Sequence, residues 1–381
     1  MLKLFYEVPT GKPIPIKIFH TLISGITQSG KTEIMRSIAK ELQKQDYTIL
    51  ILDVKSKTGE PRDFEGFGYD APLYMEQTTD PLILKGLLES ESHLRLNFQF
   101  PELIRACEDA LTIQQVLENV ERLLAEPKLH PIRREKLQVL RLLLRKLIEE
   151  MEGVKFTDVL EVRKGMINVM DLTTYSDAFK QMVVMACCMY IRKAYSRIAI
   201  FFDEAHIHIP QEYGSASKRA VTKLVKEGAS SRQFVYVADQ AITEIEKSVL
   251  KQCDVWVLGK QRELNEAERT YKQLPFKEGI KKEDIMRLET GHFYLCTSDP
   301  VKKVYAKPYW LSETEAIAIA TGSKSVHDIK PSEVEAGKEL VATLKMPDDL
   351  DDKGWEVILP LLKQVEEKAT ESKRRLGLGT V

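Results

Sequence analysis

The string Gly25-Ile26-Thr27-Gln28-Ser29-Gly30-Lys31-Thr32 fits the spacing G-x-x-x-x-G-K-[ST] at every fixed position. Residues of these types at this spacing bind phosphate. Glycines at 25 and 30 let the backbone turn tightly, so successive N–H groups can point inward at phosphate oxygens. Lys31 brings a positive charge to the β and γ phosphates, and the Thr32 hydroxyl suits Mg²⁺. The helix that begins here adds its N-terminal dipole to the anion site. The expected nucleotide cradle is therefore Gly25, Thr27, Gln28, Ser29, Gly30, Lys31, Thr32 and Glu33. An ordinary Gly/Ser turn before a helix is the alternative, but it gives no reason for Lys31 and Thr32 to stand where they do.

A second constellation is Asp203-Glu204, which ends the apolar run Ile198-Ala199-Ile200-Phe201-Phe202. Two adjacent carboxylates at the end of a buried strand are costly without a partner. Nucleotide-bound Mg²⁺ would be that partner, held by Asp203 together with Thr32. Glu204 would then polarise the water that attacks the γ-phosphate. Gln240, at the tip of the run Phe234-Val235-Tyr236-Val237-Ala238, can sense the γ-phosphate or place that water. Asp239 beside it receives no role from the sequence. His206 reads either as a packed imidazole or as a link between this site and a partner.

Strands and helices must bring these groups together. Thr21-Leu22-Ile23 is a short β-prone run into the loop, and Ile34, Ile38, Ala39 and Leu42 recur at helical spacing after it. Thr48 to Val54 is continuously apolar, as expected of a parallel strand buried on both faces. Pro101 to Leu124 and Pro131 to Met151 have amphipathic helical spacing and read as an all-helical insertion over 76–152. The second of these helices carries Arg133, Arg134, Lys136, Arg141, Arg145 and Lys146. That array reads as a solvated face, with a nucleic-acid patch as the sharper alternative.

Strands at 166–172, 198–202, 234–238 and 255–258 then alternate with helices at 179–195, 218–227 and 242–250. Such alternation argues for an α/β fold with a parallel sheet. Phe293 to Cys296 and Lys303 to Ala306 are expected to form an edge hairpin. The expected division is a short N-terminal β segment at 1–20, a core at 21–75 and 153–310, and a helical tail at 311–381.

Composition narrows the classes. Charged residues make up 30% of the 381, yet the net charge is −1. Any nucleic-acid contact must therefore come from local patches rather than a bulk positive field. The five cysteines, at 107, 187, 188, 253 and 296, form no C-x-x-C. They read as reduced thiols in a cytoplasmic protein. No leader pattern stands at the N-terminus. The longest apolar run, Met182 to Ile191, falls short of the roughly 20 residues that span a bilayer, so no integral membrane segment is expected.

Together these strings resemble the HerA/FtsK superfamily of hexameric, nucleic-acid-translocating P-loop ATPases, from about Ile16 to Tyr309. His20 to Thr32 is similar to H-x-L-I-x-G-x-T-G-S-G-K-[ST], with Gln28 in place of the usual Gly. Leu50-Ile51-Leu52-Asp53-Val54-Lys55, followed by Gly59-Glu60, is similar to a strand end written I-D-P-K-G-E. Asp203-Glu204-Ala205-His206 through Ile209-Pro210 matches D-E-A-H-x-x-I/L-P. Lys226 through Gln240, then Val249 to Cys253, is similar to the sensor strand and the helix after it. The letters D-E-A-H also mark two-domain helicases. In those the two motifs stand much closer than the 172 residues from Lys31 to Asp203, and too little chain is left for a second core.

The resemblance implies a RecA-like ATPase core that hydrolyses ATP with Mg²⁺ to move DNA, expected to be double-stranded, through the central pore of a homo-hexamer. It also implies an arginine from a neighbouring subunit. Ala229 stands where the family tends to have Arg, and Arg232 is the expected finger, with Arg219 and Arg262 as competitors. The family's N-terminal β-barrel has no room in the 20 or so residues before the core. The helical insertion is placed like the all-helical domain of type IV secretion coupling ATPases. A nuclease or a membrane secretion machine is the partner this suggests. Conjugation or secretion coupling, viral packaging, or a motor that moves protein are the alternative settings.

Overall fold

The computed structural model describes residues 1–329 except 56–61, 76–77, 93, 212–214 and 299. Most of the expected helical tail, from 330 on, lies outside the described residues, as do Gly59 and Glu60.

Eleven strands form one sheet: β1 (Leu2–Glu7), β2 (Pro13–Ile16), β3 (Thr21–Ser24), β4 (Thr48–Asp53), β5 (Tyr69–Asp70), β6 (Ile167–Asp171), β7 (Ile198–Phe202), β8 (Gln233–Asp239), β9 (Val255–Leu258), β10 (His292–Cys296) and β11 (Lys302–Ala306). Their spatial order is β2-β1-β11-β10-β9-β3-β8-β7-β4-β6-β5. From β9 to β5 all pairings are parallel, and from β9 to β2 all are antiparallel. Strands β4 and β7 are buried along their whole length, β7 apolar throughout and β4 apolar between Thr48 and Asp53, because both faces are covered.

The helices are α1 (Lys31–Gln43), α2 (Pro81–Ser92), α3 (Phe100–Cys107), α4 (Ile113–Leu124), α5 (Pro131–Met151), α6 (Asp177–Ala194), α7 (Ala216–Glu227), α8 (Lys247–Leu250), α9 (Leu264–Gln273), α10 (Lys282–Met286) and α11 (Glu313–Ala320). Alternate residues of each parallel strand feed two separate cores. Ile49, Ile51, Ala199 and Phe201 pack with Ile34, Ile38 and Leu42 of α1. Leu50, Leu52, Ile200 and Phe202 pack with α6, α7 and the helical group α2–α5 on the other face. The site must therefore form along the sheet edge where the parallel strands end.

Four expectations change. The hairpin β10–β11 is internal, because β1 pairs with β11 and β2 with β1 beyond it. The expected helix 101–124 is two helices. Asp109, with φ 58, breaks it, and Thr112 caps the second by accepting from the Gln115 amide. The expected helix 242–250 is a 3₁₀ turn (Ile242–Glu244) followed by α8, separated where Ile245 bridges Pro210. Helices α9 and α10 were not expected, and α2, within the helical insertion expected over 76–152, extends the helical group toward α7.

Two of the six cations on the basic face of α5 are tied inside that group. Arg133 binds Glu102 at 2.9 Å and Glu126 at 2.7 Å, and Arg145 pairs with Glu121.

Candidate active site

Strand β3 ends at Ser24, between β8 and β9, and the chain turns there into the phosphate loop. Gly25 has φ 155, and a Cβ on it would stand 2.7 Å from Ser29 Oγ and 3.2 Å from the Gly259 Cα. The loop and the turn after β9 are that close because neither carries a side chain there. The Gly25 and Ile26 amides donate to the Asp239 and Lys260 carbonyls, and the Gly259 amide donates to Ser24. Both neighbouring strands thus hold the loop in shape.

Gln28 has φ 66 and Gly30 φ 104, both in the left-handed region. Gln28 is the position where a glycine would be at ease, and a side chain there costs about 1 kcal/mol. The return is a curled loop. Its Ser29 amide bonds the Ile26 carbonyl, while among the described residues the amides of Thr27, Gln28 and Gly30 have no partner. The N-terminus of α1 has no side-chain cap. Unpaired amides at the positive end of a 13-residue helix make an anion site.

Lys31 lies buried in this curl, its ammonium donating to the Gly25 carbonyl at 2.6 Å and the Ile26 carbonyl at 3.2 Å. Burial lowers its pKa, while Asp203 and Glu204 work to keep it charged. Thr32 is half-buried in the first turn of α1. Ser29 Oγ is buried without a partner among the described residues. Glu33, expected in the cradle, has its carboxylate engaged elsewhere: Arg36 binds it at 2.7 Å and the Trp310 indole donates to it at 3.0 Å.

Asp203 and Glu204 follow β7, next to β8 in the sheet. Asp203 is 2% exposed; its Oδ1 accepts from the Glu204 amide at 3.0 Å, and its Oδ2 has no partner among the described residues. Burial, then the Glu204 charge, pushes its pKa up to about 7. An orphaned buried carboxylate oxygen is what a Mg²⁺ ligand looks like before the ion arrives, and with the Thr32 hydroxyl it gives the oxygen donors Mg²⁺ prefers. Glu204 sits in the left-handed region at φ 45, ψ 57. Such a conformation in a non-glycine residue costs about 1–3 kcal/mol and is typical of functional turns.

Gln240 joins the two motifs. Its Nε2 donates to Glu204 Oε1 at 3.2 Å, and its Oε1 accepts from the Thr27 hydroxyl at 3.4 Å. Asp239 gains a role as well. Buried at the end of β8, its Oδ1 accepts the Gln240 and Ala241 amides, and its Oδ2 takes the His206 amide at 2.7 Å and lies 3.0 Å from His206 Nδ1. The Asp239 hydrogen bond raises the His206 pKa. Asp239 therefore clamps the turn that presents Glu204.

Lys55, just past β4, is a site residue the sequence did not single out. Its Nζ lies 3.2 Å from Glu204 Oε1. Burial opposes its charge, but Glu204 and Asp203 outweigh that and its pKa is raised. The only signal in the sequence was its place in the Leu52-Asp53-Val54-Lys55 string. Further along the same edge, Asp53 and Asp171 share Arg62 at 3.8 and 3.1 Å. His20, in the string before the loop, is structural: it is buried and accepts the Val235 amide at 3.0 Å.

Arg232 is not brought to this site. It stands exposed just before β8, at the opposite end of that strand from Asp239, about 20 Å away at ~3.3 Å per residue. Arg262 is exposed after β9, and Arg219 is exposed on α7.

No family model matches the chain, and no curated protein matches its sequence. Solved structures do. VirB4 of Thermoanaerobacter pseudethanolicus superposes with a TM-score of 0.59 at 11% identity, covering 80% of this chain and 96% of that one. The unbound bacterial conjugative coupling protein TrwBdeltaN70 gives 0.56 at 13% identity, over 81% of this chain and 90% of that one. Its trigonal form in complex with sulphate gives 0.55 at 12% identity, over 82% and 91%. At these identities it is the fold that is shared: this chain has the RecA-like fold of the P-loop ATPases, the fold its resemblance to the HerA/FtsK superfamily implied.

Proposed function

We propose that this chain is an ATPase that uses hydrolysis to translocate DNA, working as a cytoplasmic homo-oligomeric ring, a hexamer by resemblance. One observation carries the enzymatic part. At the ends of three adjacent strands, Lys31 lies in a loop of unpaired amides beside a buried carboxylate with an orphaned oxygen and a second carboxylate, Glu204, held by Gln240.

In this reading the amides of the curl and the Lys31 ammonium bind the phosphates, the ammonium leaving the Gly25 and Ile26 carbonyls to do so. Thr32 and Asp203 would hold Mg²⁺, which when bound neutralises phosphate charge. Glu204 takes a proton from the attacking water, and Gln240 sets the water's position from its anchor on Thr27. With Arg232 on the far side of the chain, the arginine that completes the site comes from a neighbour. The likeness in fold to a conjugative coupling protein supports a conjugation or secretion setting as the second reading.

Phosphate release measured with and without double-stranded DNA tests the proposal. DNA-stimulated turnover that disappears with Lys31→Ala supports it. A rate indifferent to DNA, with no salt-sensitive DNA binding, rules out the translocase.

A further inference from the structure

A cleft of about 890 Å³ opens between α2, α7 and the start of α8, away from the phosphate loop. Six cations line it: Lys85, Lys218, Arg219, Lys223, Lys226 and Lys247. Its three acids are already paired. Glu89 binds Lys85 at 2.9 Å, Glu246 binds Lys218 at 2.5 Å, and Glu227 binds Arg192 at 2.7 Å. Arg219, Lys223, Lys226 and Lys247 remain, all exposed and with no ion pair among the described residues.

In a chain of net charge −1, four uncompensated cations in one cleft form a concentrated positive site. Three of them follow α7 as a stripe. At ~1.5 Å per residue, Arg219 and Lys226 stand about 10 Å apart along the helix, the length of about three nucleotides at ~3.4 Å each. Thr222 and Ser248 add hydroxyls between the cations. Lys, Arg, Ser and Thr are the side chains that contact phosphate and sugar.

Hydrogen bonds, buried or partly buried, join both walls to the turn after Glu204. On α6, the Gln181 Nε2 donates to the Ile207 carbonyl at 3.0 Å and to Ser90 Oγ of α2 at 2.6 Å. The Gln181 Oε1 accepts from Ser215 Oγ at 3.1 Å, and the Ser217 hydroxyl donates to the His208 carbonyl. Ser215 caps α7. A shift of α2 against α7 must therefore be felt by residues 207 and 208, three and four positions from the catalytic carboxylate.

We infer that this cleft binds the phosphodiester backbone of the nucleic acid being moved and signals its occupancy to Glu204 through Gln181. The inference rests on the translocase reading and adds to it a location and a route. The test is the Lys223→Ala/Lys226→Ala/Lys247→Ala variant of the full chain, with duplex and single-stranded DNA as probes. Basal ATPase without DNA should match wild type. DNA affinity should fall at least tenfold, and the slope of log K against log salt should shrink by about 0.9 per lost duplex contact. Lys→Arg at the same three positions should retain binding. Ser90→Ala should bind DNA normally but lose much of the stimulation.

Wild-type affinity and salt slope in the Ala variant would overturn the cleft and leave the translocase standing. Full stimulation in Ser90→Ala would overturn the route. If the wild-type protein itself shows no salt-dependent DNA binding, the translocase reading fails and the cleft assignment with it, which turns the search to an acidic protein partner.

Discussion

On the proposed function Lys31 and Glu204 do different work, and their variants should separate. Lys31→Ala removes the cation inside the loop's curl, so nucleotide binding itself should fall, by 100-fold or so, as read by titration with a fluorescent analogue. Glu204→Gln keeps the shape and the Gln240 contact but cannot take a proton. It should bind nucleotide normally and turn over about 10²–10⁴-fold more slowly. Equal loss of binding in both would sink the division of roles. Lys55 makes a subtler case. Its ammonium is the cation nearest Glu204. Lys55→Met should destabilise the nucleotide-free protein, because breaking a partly buried pair strands the charge left behind. Mg²⁺ with a non-hydrolysable analogue should narrow that gap, which melting temperatures with and without ligand will read. A gap unchanged by ligand would mean that Lys55 has no part in balancing the site's charge.

The elements show how far a sequence carries. The phosphate loop, β7 with Asp203 and Glu204, and most parallel strands were legible, because each is a local string with its own spacing. Asp239 and Lys55 were not. Their roles come from β8 and β4 lying on either side of β7, and order in space is not order in sequence. The edge assignment for β10–β11 failed for the same reason, since the strand that covers it comes from the first seven residues. Helix α2 was expected only as part of the helical insertion, its bounds unread, because its apolar residues do not keep to one face. The Asp53–Arg62–Asp171 cluster gives a prediction at this scale. Burial raises the Asp53 pKa from 3.8 to about 6. The folded state then holds a proton that the unfolded state has released, so this group's contribution is full below 3.8 and is lost as pH rises through about 6. Asp53→Asn should flatten urea-derived stability across that window. An unchanged pH slope would show that Asp53 does not set it.

For the molecule as a whole, the decisive fact is that Arg232 faces solvent at the end of the sheet remote from its own nucleotide loop. On the proposed function Arg232 completes a neighbour's site, and such a site works only in an assembly. Arg232→Ala and Glu204→Gln subunits, each inactive alone, should regain part of the ATPase activity when mixed, since some interfaces then hold an intact glutamate and an intact arginine. No recovery on mixing, in particles shown to exchange subunits, would count against Arg232 as the finger. The contact between Trp310 and Glu33 has a practical consequence. The chain has three tryptophans. Trp256 is buried with its indole on the Cys253 carbonyl, whereas Trp310 touches the residue two places after Lys31. Its emission should therefore change when the loop fills, giving a label-free optical signal for each binding event.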